Sequence, residues 1–192
     1  QSEGVGTTIK HFIANNGETS RNTVNNVIPP RAIREIYLRG YEYAAEHAKP
    51  WAVMTAMSKV NGTYTGQWKD LNTTVLRSEW GYEGFVVSDW SAVNDRVPGL
   101  KAGLDLEMPS SFGENDALIV EAVKKGELDE AVVDQAVERI LNIVYRAQEG
   151  RKENTVFDRD ADHELAREIA GETLVLLKNE DHILPLSKEQ KL

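Results

Sequence analysis

Apolar and polar positions along this chain switch repeatedly between a period of two and a period near three and a half. Residues 5–12 (Val-Gly-Thr-Thr-Ile-Lys-His-Phe) are β-prone and close on ionisable side chains, which sets Lys10 and His11 near a strand end. Residues 13–30 are rich in Asn, Gly, Thr and Ser. They are too polar for core and too long for an ordinary connection, so they predict a functional loop, and it carries Glu18 and Arg21. Pro29-Pro30 then opens a helix, since proline is tolerated in the first turn, where its missing N–H costs nothing. Ile33, Ile36, Tyr37, Gly40, Tyr41, Ala44, Ala45 and Ala48 follow the spacing of one buried helical face, ending near Lys49-Pro50. Residues 51–57 (Trp-Ala-Val-Met-Thr-Ala-Met) predict a second strand, and Asn61-Gly62 predicts a turn with positive φ.

Residues 71–80 predict a short helix capped by Asn72 or Thr73. The stretch Gly84-Phe85-Val86-Val87-Ser88-Asp89-Trp90 follows, a run with the composition of a strand buried on both faces, and it delivers a carboxylate at its end. A helical piece over 91–101, interrupted near Pro98-Gly99, leads to a further strand over 102–108, with Leu104 and Leu106 alternating before Pro109. This order of strand and helix predicts parallel βα units and an α/β fold. Helices are predicted over 115–125 and 129–148, the second with Val132, Val133, Ala136, Val137, Ile140 and Val144 on one face. Residues 151–160 are charged and aperiodic, as a linker is; beyond them come a helix over 161–172, a strand over 173–177 and a turn at 179–182. About four strands before the linker are too few to close an eight-stranded barrel, so the chain reads as a piece of one.

Composition narrows the partners. The 192 residues carry a formal net charge of −9, which argues against a phosphate-binding surface and fits an uncharged ligand better than nucleic acid. No apolar run is long enough for a membrane-spanning helix. With no cysteine there is neither a disulfide framework nor a thiolate metal site, and the compartment stays open, with a periplasmic or secreted location slightly favoured. Gln1-Ser2-Glu3-Gly4 lacks the basic head and apolar stretch of a secretory signal, which is also what a removed leader would leave.

On pattern alone Asp89 reads equally well as a catalytic carboxylate at a strand end or as the N-cap of the next helix. Lys10 reads as an ion-pair partner or as a strand-end amine able to form a Schiff base with a carbonyl substrate, and His11 as a ligand-binding or a core imidazole. Glu107 stands at another strand end and reads as a second catalytic carboxylate or as a salt-bridged residue. Asn61-Gly62-Thr63 and Asn72-Thr73-Thr74 fit the glycosylation pattern, but a turn and a helix start account for them equally.

Five segments together resemble glycoside hydrolase family 3, the β-glucosidase family: Lys10-His11-Phe12 with Asn15, Glu18 and Arg21; residues 31–38; Phe85 to Trp90; Gly103-Leu104-Asp105-Leu106-Glu107-Met108-Pro109; and the tail 172–186. The resemblance implies the back part of a (β/α)8 TIM-type barrel over 1–150, a linker with its helix over 151–171 and the start of an α/β-sandwich domain over 172–192. It implies Asp89 as nucleophile of a retaining, exo-acting β-glucosidase, with Lys10, His11 and Arg21 holding the sugar. Met54 and Trp90 line the same pocket, and Glu18 supports it. The acid/base carboxyl comes from outside this chain, and no metal or organic cofactor is needed. The expected partners are a β-glucoside or oligosaccharide and the remainder of the same enzyme, with neither nucleic acid nor membrane, and the isolated segment is expected to be inactive. Met57 departs from the family, which commonly has a tyrosine there approaching the nucleophile. A β-xylosidase, a β-N-acetylglucosaminidase, a Schiff-base lyase or aldolase using Lys10, and an inactive structural fragment are the alternatives. The N-acetylglucosaminidase reading lacks its histidine, because Ile13-Ala14-Asn15-Asn16 follows Phe12 here.

Overall fold

The computed structural model describes residues 1–188, so the end of the domain expected over 172–192 lies outside the described residues. The chain divides into two compact units, Gln1–Arg151 and the part from Lys152 onward.

Three strands form the centre of the first unit: β1 (Thr8–Phe12), β3 (Ala52–Thr55) and β6 (Phe85–Val87). All pair in parallel, in the order β1-β3-β6, which is the expected α/β arrangement with helices between the strands. Ile9 lies beside Val53 and Val53 beside Val86, and these residues face the helices. There Phe12, Ile13, Val53, Val86 and Leu104 pack with Ile33, Leu38, Leu71, Val75 and Leu76 in one buried cluster. Met54 and Val87, one residue further along, share the opposite face.

The helix after Pro29 runs over residues 30–48 and stops at Lys49, φ 46°, before Pro50. Its winding corrects the expected face. Leu38 N–H bonds Ile33 O and Lys49 N–H bonds Ala44 O, so two turns hold an extra residue. The buried stripe shifts accordingly: Leu38 is 2% exposed although off the three-and-four pattern, while Ile36 on that pattern is 70% exposed.

The loop of residues 13–30 is stitched to a hairpin that follows β3. β4 (Lys59–Val60) and β5 (Thr63–Tyr64) join through Asn61-Gly62, where φ is 49° and 90°, as the turn pair predicts. β2 (Asn25–Asn26), not foreseen because two residues carry no periodicity, pairs in parallel with β4. The Asn61 side chain exchanges two 2.9 Å hydrogen bonds with the Ile28 backbone, and Tyr64 OH donates to Asn22 O at 3.1 Å.

The helix Asp70–Glu79 begins after Lys69 with no side-chain cap. Asn72 and Thr73, expected as caps, lie inside it. Asn72 donates to Thr65 O and Thr73 to Ala102 O, tying the helix to its neighbours. The amides of both glycosylation-like sites, Asn61 and Asn72, are thus hydrogen-bonded to backbone carbonyls of the fold.

Two expectations after Asp89 are corrected. The helix there is Arg96–Ala102, capped by Asp95, so Pro98 sits in its first turn instead of interrupting it. The strand expected over 102–108 reduces to a single parallel bridge, Val87 to Leu106, because Ala102 still belongs to the helix and Gly103, at φ 100°, ends it. The helices Glu114–Lys124 and Glu130–Glu149 follow as predicted, the latter capped by Asp129, and pack with Leu100, Ala122, Leu128 and Ala136.

In the second unit Asp158 caps the helix Arg159–Thr173. The strand expected over 173–177 is not formed among the described residues, where Leu174, Val175, Leu176 and Leu177 are all exposed and lack a ladder partner. Asn179 closes the turn that follows by bonding Leu184 in both directions. Among the described residues no helix is long and apolar enough to cross a membrane.

Candidate active site

Because β1, β3 and β6 run parallel, their C-terminal ends share one edge of the sheet, and it is there that the ionisable side chains gather. The register slips by one residue between Ile9 and Phe12, and this irregularity falls on Lys10 and His11. His11 Nε2 lies 3.3 Å from Asp89 Oδ2, with both side chains mostly buried. Trp90 N–H donates to Asp89 Oδ1 at 2.7 Å. Each carboxylate oxygen of Asp89 therefore has one nitrogen neighbour and keeps a lone pair for chemistry. The helix-cap reading does not hold, since the next helix begins at Arg96 under Asp95.

The other expected residues divide by position. Lys10 is exposed, and the ion-pair contact of Asp89 is with His11. Lys10 and His11 also border an open cleft of about 550 Å³ between β1 and the 30–48 helix, together with Asn15, Asn16, Tyr37 and Tyr41. Burial pushes the Tyr41 phenol up to about 12 where it packs against Phe12. Arg21 pairs with Glu18 at 2.8 Å and Asn15 donates to the same carboxylate at 3.0 Å, a second constellation on the polar loop. Met54 is half-buried beside Val87, Met57 is buried, and Trp90 is 53% exposed. Among the described residues no group of three or more His, Asp or Glu is placed to hold a metal ion.

The description "Glycosyl hydrolase family 3 N terminal domain" matches residues 1–143. The chain belongs to that family. Thermostable beta-glucosidase B of Acetivibrio thermocellus is 55% identical over 188 residues, covering 98% of this chain and 25% of the relative. An exo-alpha-(1->6)-L-arabinopyranosidase of Bifidobacterium longum is 45% identical, covering 97% and 25%. Among solved structures, the Bifidobacterium adolescentis GH3 beta-glucosidase superposes with a TM-score of 0.84 at 44% identity, covering 97% of this chain and 27% of that one. Beta-glucosidase 3B from Thermotoga neapolitana in complex with glucose gives 0.82 at 45%, covering 96% and 27%. This family 3 chain spans about a quarter of the length of the curated relatives it matches.

Sequence reasoning missed what holds the edge together. In this glycosyl hydrolase family 3 chain the Asp105 side chain is wholly buried and accepts from Arg77 Nη2 at 2.6 Å, Arg139 Nη1 at 2.9 Å and Val86 N–H at 2.8 Å. Arg96 donates to the carbonyls of Leu104 and Asp105, both at 2.9 Å. Burial lowers the Arg77 pKa from its ordinary value while the charge of Asp105 opposes that fall. Glu107 is held by Asn115 at 2.6 Å and faces Arg96 at 3.8 Å, in keeping with the salt-bridged reading. The available signal was a charged residue between Leu104 and Leu106, a position that demands cationic partners.

Proposed function

We propose that this chain supplies the nucleophile half of a retaining, exo-acting β-glucosidase, with Asp89 as nucleophile. The observation that carries the reading is a mostly buried carboxylate beside His11 at the common end of three parallel strands, in a chain 55% identical to a protein named a beta-glucosidase. Residues 1–150 are the C-terminal part of a (β/α)8 barrel in this reading. The parallel order β1-β3-β6 and the added position at Leu106 fit four consecutive barrel strands. Residues 151–171 are a linker and its helix, and 172–192 begin an α/β-sandwich domain.

The chemistry follows from the carboxylate. Asp89 attacks the anomeric carbon of a terminal glucosyl unit while a second carboxyl, about 5 to 5.5 Å away and outside this chain, protonates the departing oxygen. Water, deprotonated by that second carboxyl, then releases glucose with its configuration retained. His11, Lys10 and Arg21 offer N–H donors to the sugar hydroxyls, and the Glu18 pair limits the conformations open to Arg21. Met54 and Trp90 contribute apolar walls. Met57 brings no hydroxyl toward Asp89, so orientation of the nucleophile falls to His11 and the Trp90 N–H. The remainder of the enzyme is required for turnover.

A second reading is favoured by the relatives named arabinopyranosidases: an α-L-arabinopyranoside has the ring stereochemistry of a β-D-galactoside without its hydroxymethyl group. It shares the nucleophile and differs in the sugar held. The test is trapping of the complete enzyme with 2-deoxy-2-fluoro-β-D-glucosyl fluoride, followed by peptide mapping. Label on Asp89 supports the assignment, and label on any other residue overturns it.

A further inference from the structure

β6 ends at Val87, and Asp89 lies beyond it in a turn whose own backbone contact is Ala92 N–H to Asp89 O. Four hydrogen bonds tie that turn to the neighbouring segment. Ser88 N–H donates to Leu106 O at 2.9 Å and Ser91 N–H to Met108 O at 3.2 Å. The Ser88 hydroxyl makes the other two, donating to Met108 O at 3.1 Å and accepting from Met108 N–H at 2.8 Å. Ser88 is fully buried, and among the described residues it is the one side chain in this set of ties. Its hydroxyl spans both backbone polar atoms of a single residue, Met108, on the adjacent segment.

We infer that Ser88 is a positioning residue for Asp89: its hydroxyl clamps the nucleophile's turn to the Met108 backbone and so fixes the distance from carboxylate to anomeric carbon. The inference rests on the nucleophile reading above. Attack requires reacting atoms about 3 to 3.5 Å apart, and a displacement of about 1 Å can cost on the order of 100-fold in rate. Without the hydroxyl, the Met108 N–H loses its acceptor, and the turn is left with the backbone ties from Ser88 and Ser91. The loss falls on the bond-forming step, because the N–H donors proposed for the sugar (Lys10, His11 and Arg21) lie on β1 and the 13–30 loop, and Trp90 is the one pocket wall carried by the turn.

Two variants of one shape isolate the hydroxyl. Ser88→Thr keeps it and Ser88→Val replaces it with a methyl group, so packing strain from the added bulk is common to both. In the complete enzyme, inactivation by 2-deoxy-2-fluoro-β-D-glucosyl fluoride yields a dissociation constant and a rate constant for covalent labelling. The expected result is labelling at least about tenfold slower in Ser88→Val than in Ser88→Thr, with dissociation constants within about twofold. Equal labelling rates with label on Asp89 overturn the inference and leave the nucleophile assignment standing. A difference confined to the dissociation constant also overturns it, and label on another residue overturns both.

Discussion

Phe85–Val87 and residues 174–177 are both short apolar runs bounded by polar residues, and they adopt different structures. Val86 is completely buried, with Val53 of β3 on one side, the Leu106 segment on the other and the Asp105 carboxylate on its N–H. Leu174 and Leu177 are 81% and 91% exposed, and no strand forms around them among the described residues. Apolar side chains are common to both runs, so apolarity alone is not what makes the difference. Backbone N–H and C=O groups need partners, and only the first run has a strand, a bridge and a side-chain acceptor around it. A strand that positions a carboxylate at its end, as β6 positions Asp89, needs such support on both sides.

Removing that support should cost most. Asp105→Ala leaves Arg77 and Arg139 without their shared carboxylate and Val86 N–H without its acceptor. The expected loss is about 3–5 kcal/mol, read by urea unfolding of the complete enzyme. A loss below about 1 kcal/mol would mean that the sheet ladder alone holds β6. Truncating the run itself should cost less. Val86→Ala is expected to cost about 2 kcal/mol, because it empties a fully buried position. Val175→Ala sharpens the contrast, since the proposed sandwich domain gives the second run its missing neighbours in the complete enzyme. There it should cost about 1–2 kcal/mol, and a cost below about 0.5 kcal/mol would contradict a strand at that position.

The same contrast explains which parts were legible in advance. Long helices such as Glu130–Glu149 announce themselves by period and by an Asp cap, and Phe85–Val87 by a compact β-branched run before a carboxylate. The placement of Asp89 was legible, since a carboxylate following a buried parallel strand falls at the strand's C-terminal end, where it lies beside His11. Pro98 misled, since a proline in the first turn of a helix looks in sequence like a proline that breaks one. The two-residue strands Asn25–Asn26, Lys59–Val60 and Thr63–Tyr64 are too short for any period to show. The extra residue in the turns of the 30–48 helix moved its buried stripe off the expected face. Ser88 and Asp105 were missed as supports because their roles lie in long-range hydrogen bonds to Met108, Arg77 and Arg139, which local pattern does not encode.

The central claim is that Asp89 forms the covalent bond to the sugar, and chemical rescue of an Asp89→Gly variant of the complete enzyme tests it most directly. The variant should lose on the order of 10⁴-fold in kcat on an activated aryl β-glucoside, with its unfolding midpoint preserved. Azide, entering the space of the missing carboxylate and attacking the same face, should restore turnover and yield α-D-glucosyl azide. Absence of rescue, or formation of the β-azide, would contradict the assignment.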